Sequence, residues 1–306
     1  MVDILLEQKE ELTENTIGSP KDFFELMKPR VMSLVVFTAF VGYGCGYFST
    51  DKIFNPWLSI IGIFAIALGA GSSGVLNHWY DRDIDKLMSR TSKRPIPLGK
   101  VLPSDALGFG VLGSILSVTI IGLSINWLAA FLLGFTILFY SIFYTIFLKR
   151  FTSQNIVIGG AAGAFPPMIG FVCATGHLSV EPLILFGIIF FWTPPHFWAL
   201  AILRKDEYFQ AGVPMLPNTS GIKKTKIQIF VYTLVLFFFS FMPYLFGFNH
   251  TFYLMFTAVF GLEFIRRSWE CLKGSKNSEQ KLFSFSIVYL FLLFLVILLD
   301  KLYFNI

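Results

Sequence analysis

The polar residues with the clearest chemical potential follow a long apolar run that ends near residue 76. Asn77, Asp81 and Asp85 are spaced four residues apart, so on a helix they form a single stripe. Oxygen-bearing side chains on one stripe suit a hard cation such as Mg²⁺, which proteins often share with substrate phosphates. Because charge is costly near a bilayer core, a stripe of this kind at the end of an apolar run indicates a functional site.

Two arginines follow the acidic stripe, Arg90 and Arg94, and they share one face if the helix continues that far. Carboxylates that hold Mg²⁺ beside paired guanidiniums form a clamp for a diphosphate, because Arg forks bind phosphate oxygens. Asp83 points away from the stripe, so we interpret it as a salt-bridge partner. The alternative for the whole segment is an ordinary loop with solvated charges.

A second polar loop again places acids beside bases just after an apolar run. We predict that Asp206 and Glu207 are ligands of a second Mg²⁺, so that two acidic loops hold one diphosphate. Arg204, Lys205 and Tyr208 are the predicted substrate-binding residues of this loop. The alternative is a charged cap where a helix leaves the membrane.

A histidine with two prolines before it, His196, lies inside another apolar run between two tryptophans. Prolines within a span free backbone carbonyls, which is tolerated only where protein or a cavity satisfies them. A histidine at such a place can ligate a haem iron or move a proton. The alternative is a buried histidine that is bonded to a carbonyl.

Two further features lie near the middle of the chain. The pair Lys149 and Arg150 closes the fourth apolar run and adds cationic charge to the predicted anion site, unless it serves only as a topology anchor. The Gly- and Pro-rich stretch 159–167 has no preceding strand, so it is not a phosphate loop, and we interpret it as a close-packing surface.

Composition determines what kind of protein must position these residues. The chain has 306 residues, of which 55% are hydrophobic and 14% charged, and its mean hydropathy is +0.68. These values are typical of an all-α polytopic membrane bundle. Apolar stretches of roughly 20 residues each can cross a bilayer. They predict about nine transmembrane helices, near 31–49, 57–76, 106–124, 127–148, 156–174, 182–203, 227–247, 251–265 and 283–300.

The basic residues predict the orientation of this bundle. With that layout, all of the 24 Lys and Arg residues except Lys52 and Lys301 fall on one side. The positive-inside rule then predicts a cytoplasmic N-terminus, with the polar loops on the cytoplasmic face. The net charge of +5 therefore reflects topology, and no nucleic-acid partner is expected. Residues 1–25 are predicted to form a polar, flexible cytoplasmic leader that ends in an interfacial helix near 23–27, and 26–306 a single intramembrane domain.

Several stretches resemble the intramembrane aromatic prenyltransferases of the UbiA type, typified by the ubiquinone-pathway enzyme. The pattern Asn77-xxx-Asp81-xxx-Asp85 with a second acidic loop carries this resemblance. Within the superfamily, roughly residues 25–300 are similar to the protoheme IX farnesyltransferase (haem O synthase) family. The stretches that carry this similarity are Met88-Ser-Arg90-Thr91-xx-Arg94-Pro95, Asn155-Ile-Val-Ile-Gly-Gly-Ala-Ala-Gly163, Trp192-Thr-Pro-Pro-His-Phe-Trp-Ala-Leu-Ala201 and Ala211-Gly-Val-Pro-Met-Leu-Pro217.

The resemblance implies specific roles. Asn77, Asp81 and Asp85 would bind Mg²⁺-diphosphate, the two arginines would steady the diphosphate, and His196 would contact haem. The implied reaction transfers a farnesyl group from farnesyl diphosphate to a vinyl group of haem B, with addition of water. Haem B is then a substrate, and Mg²⁺ is the cofactor.

The resemblance also implies a multi-pass protein of the bacterial inner membrane, with contact to haem A synthase or to oxidase assembly proteins as an expectation. The second loop departs from the superfamily pattern of two acids four residues apart, because Gln210 follows Asp206 at that spacing. Glu207 stands where the haem branch usually has a second Asp.

Two other functions are alternatives. One is a prenyltransferase for a quinone precursor or chlorophyllide. The other is a membrane transporter that carries haem or a cation, which would use the acids as a cation site and His196 as an axial ligand.

Overall fold

The computed structural model describes residues 18–50 and 55–304, and within these residues all regular structure is helical. Most of the predicted leader therefore lies outside the described residues. The helices are, in chain order, α1 (Pro20–Leu26), α2 (Pro29–Phe48), α3 (Pro56–Tyr80), α4 (Arg82–Asp85), α5 (Pro103–Ser124), α6 (Trp127–Phe151), α7 (Asn155–Thr175), α8 (Val180–Leu203), α9 (Lys205–Gln210), α10 (Leu216–Thr219), α11 (Ile222–Phe239), α12 (Met242–Leu245), α13 (Thr251–Lys273) and α14 (Ser278–Phe304).

Proline and asparagine determine where several of these helices begin. Prolines occupy the first turn of α1, α2, α3 and α5, where the missing N–H has no intrahelical acceptor to lose. Asn55 and Asn126 cap α3 and α6 by accepting hydrogen bonds from backbone N–H groups of the first turn. A short helix, α1, forms near the predicted position 23–27, and its Ser19 and Asp22 form a reciprocal capping box. Its interfacial location stays a prediction.

Eight helical segments are long and apolar enough to cross a membrane, which confirms a multi-pass all-α bundle. They are α2, α3, α5, α6, α7, α8, α11 with α12, and α14. The predicted span near 251–265 corresponds to α13, which has 23 residues but carries five charged side chains in its second half. It packs between α11 and α14 as a ninth long helix, but its charge keeps it outside the set of candidate spans.

The helices α2 and α7 pack closely together, and small residues permit this approach. Gly42 of α2 faces the backbone of Pro167, and Gly170 of α7 faces the backbone of Ala39, so a side chain at either glycine would clash with main chain. Gly160 in the same stretch abuts Thr193 of α8. The interpretation of residues 159–167 as a close-packing surface is therefore confirmed.

The middle of α6 departs from regular α-helix, because Phe139–Leu148 is π-helical. The hydroxyl of Thr145 donates to the carbonyl of Tyr140, five residues earlier, at 2.8 Å. This wider turn changes the angular position of every residue that follows it. The segment leads directly into Lys149 and Arg150, so it determines where these two cations point.

Candidate active site

The acidic stripe forms as the spacing predicts. The backbone N–H of Asp81 donates to Asn77 and that of Asp85 donates to Asp81, at 2.9 and 2.8 Å, so helical geometry continues through the junction of α3 and α4. The side-chain amide of Asn77 donates to Asp81 Oδ2 at 2.8 Å. All three side chains are buried.

Cations from α6 surround Asp81. Its Oδ2 forms an ion pair and a hydrogen bond with Lys149 Nζ, and its Oδ1 lies 3.6 Å from Arg150 Nη2. Arg150 also forms a two-pronged pair with Asp83 at 2.7 and 2.8 Å, so the salt-bridge role predicted for Asp83 is confirmed. Of the two interpretations of Lys149 and Arg150, the structure favours a place in the acidic site.

The arginines of the first loop lie apart. Helix α4 ends at Asp85 and the chain then continues in turns, so Arg90 and Arg94 do not share a helical face. The loop nevertheless folds back, and Arg94 Nη1 donates to Asp85 Oδ2 at 2.6 Å. The hydroxyl of Thr91 secures this fold by donating to the carbonyl of Asp85. The Arg90 side chain is exposed and makes no hydrogen bond or ion pair with the described residues.

One cation that the sequence does not single out reaches the stripe from the start of α2. Lys28 Nζ donates to Asn77 Oδ1 at 2.6 Å and to the Tyr140 hydroxyl at 3.3 Å. Burial and repulsion by Arg94 and Lys149 hold the pKa of Lys28 well below its usual range. The sequence did contain an indication of this role. A lysine beside the first turn of a helix opposes the helix dipole, which is unfavourable unless the lysine has another partner.

Other residues around Asp81 also escape sequence reasoning. Thr145 Oγ1 accepts from the amide of Asn77 at 3.1 Å, and the rings of Tyr140 and Tyr144 stack at 5.4 Å. The fully buried amide of Asn155 donates to the Lys149 carbonyl at 3.2 Å. Tyr140, Tyr144 and Thr145 lie on the π-helical segment, whose register cannot be inferred from residue spacing.

The second acidic loop approaches the first through one side chain. Glu207 accepts hydrogen bonds from Ser89 at 3.1 Å and from Arg204 at 2.8 Å. Burial would raise the pKa of Glu207, but these hydrogen bonds outweigh it, so the pKa lies below its usual range. Asp206 is exposed and makes no ion pair with the described residues.

The two remaining predicted residues of this loop, Lys205 and Tyr208, are both half-buried. Burial raises the pKa of the Tyr208 phenol, and the nearby positive charges of Arg90 and Arg94 partly oppose this rise. Lys205 is half-buried, and its carbonyl accepts a hydrogen bond from Asn218 at 3.2 Å. Tyr208 is therefore the member of this pair that lies within reach of the first loop.

The donor set around the stripe fits Mg²⁺ that is shared with a phosphate. Among the described residues, no three His, Cys, Asp or Glu side chains lie close enough together to hold a metal ion by themselves. Mg²⁺ in proteins usually takes one or two carboxylates and completes its octahedron with water and substrate phosphates. Asp81 Oδ1 is buried and accepts no hydrogen bond from the described residues, so it has ligand capacity left over.

His196 lies in a separate aromatic environment on α8. Its ring stacks between Trp192, at 4.3 Å, and Phe283, at 4.7 Å, and its Nδ1 is 2.7 Å from the Ser286 hydroxyl. The indole of Trp192 donates to the Ser286 carbonyl, which fixes the ring beside the histidine. His196 is therefore bonded to a hydroxyl and held by rings, and its Nε2 has no hydrogen-bond partner among the described residues.

Comparison with known proteins places this arrangement in a family. The UbiA prenyltransferase family matches residues 35–297. The chain belongs to this family. The protoheme IX farnesyltransferase of Sinorhizobium fredii is 53% identical over 288 residues, which cover 92% of this chain and 89% of that protein. The protoheme IX farnesyltransferase of Methylorubrum extorquens is 49% identical over 289 residues, which cover 93% of this chain and 90% of its relative.

Solved structures show the same fold. A digeranylgeranylglyceryl phosphate synthase superposes with a TM-score of 0.77 at 20% identity, over 92% of this chain and 98% of the other. A UbiA homologue from Archaeoglobus fulgidus, bound to GPP and Mg²⁺, superposes with a TM-score of 0.64 at 17% identity, over 90% of this chain and 99% of the other. The predicted resemblance to UbiA-type prenyltransferases is thus confirmed.

In this UbiA-family protein, four basic side chains gather around the buried stripe. Four cationic side chains approach two buried carboxylates, namely Lys28, Arg94, Lys149 and Arg150 around Asp81 and Asp85. Asp83 is exposed and neutralises part of the positive charge of Arg150. These four basic side chains and the stripe form a group that we name the cage. The cage disfavours the charge of Lys28, whose pKa is lowered, so an anion that restores this charge is favoured there.

Proposed function

We propose that this protein transfers the farnesyl group of farnesyl diphosphate to a vinyl group of protoheme IX (haem B), with addition of water, to give haem O and diphosphate. The observation that carries the proposal is the buried cage around Asp81, in which carboxylates and basic side chains meet at the end of a membrane bundle. The relatives from Sinorhizobium fredii and Methylorubrum extorquens, which have about the same length, are both named protoheme IX farnesyltransferase.

We assign two groups of residues to Mg²⁺. Asn77, Asp81 and Asp85 would hold one ion, and Asp206 and Glu207 would hold a second. When bound, Mg²⁺ neutralises the negative charge that develops on the departing diphosphate. Ser89 positions Glu207 toward the first loop through its 3.1 Å hydrogen bond.

The cationic side chains act on the leaving group. Lys28, Lys149 and the arginines of the cage donate to diphosphate oxygens, and this stabilisation grows as the allylic C–O bond breaks and its electron pair passes to oxygen. Their present partners are carboxylates and polar groups of the protein, so the cage is assembled before the substrate arrives. Such preorganisation lowers the barrier without a covalent enzyme intermediate.

The farnesyl chain needs an apolar path beside the cage. A series of aromatic rings from α6, α7 and α8 offers an apolar surface, with neighbouring centroids 5.0 to 5.9 Å apart in the order Phe135, Phe165, Phe186 and Phe190. Phe135 is exposed, and the other three rings are half-buried. The π-faces of such rings also stabilise a nearby carbocation. The haem vinyl carbon then bonds to the farnesyl carbon, and water adds to the resulting cation with loss of a proton.

We assign haem recognition to His196. Trp192 and Phe283 hold the imidazole between them, and Ser286 engages Nδ1, which leaves Nε2 for the haem iron. We further propose that the acidic site faces the cytoplasm, in the inner membrane of a bacterium, because the basic residues gather at that end. Delivery of haem O to haem A synthase or to oxidase assembly proteins is part of the same proposal.

One experiment tests the proposed reaction directly. Purified protein in lipid nanodiscs is incubated with labelled farnesyl diphosphate, haem B and Mg²⁺, and the products are separated by chromatography. We expect labelled haem O and equimolar diphosphate, and neither product after addition of EDTA. Label in a quinone precursor or in chlorophyllide but not in haem would redirect the substrate. Haem flux without diphosphate release would favour a transporter.

A further inference from the structure

Helix α14 meets the histidine of α8 through a single serine. Ser286 of α14 is fully buried, and its Oγ lies 2.7 Å from His196 Nδ1. The Ser286 carbonyl accepts a hydrogen bond from the indole of Trp192, which precedes His196 by about one turn of α8. Phe283, about one turn before Ser286 on α14, stacks on the imidazole. Ser286 therefore contacts α8 through both its side chain and its main chain.

The direction of the hydrogen bond between Ser286 and His196 follows from the other bond that this serine makes. A hydroxyl has one hydrogen to donate, and Ser286 Oγ donates it to the carbonyl of Phe283 at 2.6 Å. The imidazole must then be the donor in the second contact, since two acceptors that face each other would repel. Ser286 is 0% exposed and His196 is 8% exposed, so a polar atom left unpaired here would be costly. The proton of the neutral imidazole therefore lies on Nδ1.

This tautomer determines what the other ring nitrogen can bind. A neutral imidazole carries one proton, so a proton on Nδ1 leaves a lone pair on Nε2. A nitrogen with a lone pair can bind a metal ion, whereas a protonated nitrogen cannot. Histidines that ligate metals commonly donate their other N–H to a fixed acceptor for this reason. In this chain the acceptor is a serine hydroxyl that is itself held by a main-chain carbonyl.

We propose that Ser286 is a positioning residue for the haem substrate, which holds His196 in the tautomer whose Nε2 can bind the haem iron. This inference rests on the proposed function, because haem B is the substrate named there. Trp192 and Phe283 lie within 17° and 22° of parallel to the imidazole, so they fix the plane of the ring. Stacking alone does not distinguish the two nitrogens, because a ring turned over by half a circle stacks equally well. Ser286 supplies the contact that does.

The tautomer can be measured without haem, in the full chain in nanodiscs. The histidines are labelled with ¹⁵N, and the His196 signals are identified by their loss in His196→Gln. We expect a protonated Nδ1 and an unprotonated Nε2 in the wild type. Ser286→Ala should move the proton partly or wholly to Nε2, because the acceptor beside Nδ1 is lost. Ser286→Thr should keep the wild-type pattern, since a threonine hydroxyl in a helix can bond the same carbonyl.

Haem binding supplies the second readout. Ferric haem B is titrated into the same proteins and followed by its Soret band. Ser286→Ala should weaken binding about tenfold, the low end of what the loss of a partner behind a metal-bound histidine typically costs, and Ser286→Thr should restore it. Ser268→Ala is the matched control and should change neither readout. The Ser268 hydroxyl is also fully buried and donates to a carbonyl three residues earlier, that of Ile265, at 2.9 Å, but it belongs to α13.

The outcomes separate this inference from the proposed function. A proton on Nε2 in the wild type, or an unchanged tautomer or haem affinity in Ser286→Ala, would overturn the positioning role, whether or not farnesyl transfer occurs. If Ser286→Ala alters both readouts but the wild type makes no haem O, the positioning role stands and the proposed reaction fails. Size-exclusion profiles identify a variant that misfolds. If Ser286→Ala does so, the wild-type tautomer and its retention in Ser286→Thr decide.

Discussion

The two acidic loops contain similar residues but differ in how the protein holds them. In the first loop, Asp81 and Asp85 are buried, and basic groups from α6 and from the loop itself pair with them. In the second loop, Asp206 is exposed, and Glu207 is held by its neighbour Arg204 and by one serine of the first loop. Burial makes the first loop a fixed part of the bundle, whereas the second is attached to it by surface contacts.

The difference in burial between the two loops suits them to different steps of the reaction. A buried carboxylate with cations on several sides holds its geometry before any ligand arrives, which favours electrostatic stabilisation of a leaving group. A surface loop with few long-range contacts opens at low free-energy cost, which favours entry and release of substrates. We therefore expect substitutions in the first loop to affect the chemical step, and those in the second to act mainly through metal and substrate affinity.

The largest effect is expected for Asp81→Asn. The amide has no charge for Mg²⁺ and leaves Lys149 without its buried partner, so kcat should fall by about 10²–10³-fold or more. Diphosphate release at saturating substrate measures the change. Asp105→Asn, which alters an exposed acid in the first turn of α5, is the control and should retain full turnover. Comparable kcat in both variants would contradict the role of Asp81.

A smaller effect is expected for Lys28→Met, which keeps an unbranched chain but removes the charge. Loss of one charge-assisted hydrogen bond of about 1.5–3 kcal/mol should raise the KM for farnesyl diphosphate about tenfold to a hundredfold. Lys21→Met, an exposed lysine of α1, is the matched control. If the KM for farnesyl diphosphate is unchanged and only the KM for haem B rises, Lys28 contributes to haem binding and not to diphosphate binding.

The second loop allows its two acids to be ranked. Glu207→Gln should reduce Mg²⁺ affinity by about a hundredfold, because it removes a ligand and weakens the hydrogen bonds to Ser89 and Arg204. Asp206→Asn should reduce it by about tenfold, because that exposed side chain positions nothing else. The Mg²⁺ dependence of turnover measures both. The opposite ranking would show that Asp206 is the principal ligand of the second ion.

The smallest effect concerns Asp83, whose pKa is lowered to about 2 by its hydrogen bonds with Arg150. Because the folded-state pKa lies below the unfolded value near 3.8, the stabilisation is complete above about pH 4 and is lost as pH falls through about 2. The carboxylate is 60% exposed, so we expect Asp83→Asn to cost at most about 1 kcal/mol at neutral pH. Thermal unfolding of both proteins at pH 6 and pH 2 measures this, and a difference that persists at pH 2 would contradict it.

The features that could be predicted from the sequence are local ones. Four-residue spacing places Asn77, Asp81 and Asp85 on one stripe wherever a helix forms, and apolar runs predict spans from length alone. The charge of α13 explains why the predicted span near 251–265 is absent from the candidate spans of the described residues. Its five charged residues lie in the second half of the helix, beyond the apolar window that suggested a crossing.

The missed features depend on contacts between distant parts of the chain. Lys28 meets its partners 49 and 112 residues away, and no pattern around Lys28 encodes those distances. The fold of the loop that carries Arg94 back to Asp85 depends on turn geometry, so the expected helical face of Arg90 and Arg94 did not form. The π-helical segment of α6 packs against α3 and α7, and no residue spacing in the sequence predicts its register.

Because of that π-helical segment, the geometry of the cage depends on the exact number of residues in α6 as well as on the side chains. An α-helix advances 100° and 1.5 Å per residue, so removing one residue between Phe139 and Leu148 would restore ordinary winding and rotate all that follows by about a quarter of a circle. Lys149 would then leave Asp81, although every functional group of the enzyme would still be present. Deletion of one codon in this apolar stretch would thereby abolish activity. A comparison of the charged residues alone would not reveal the loss, because all of them would still be present.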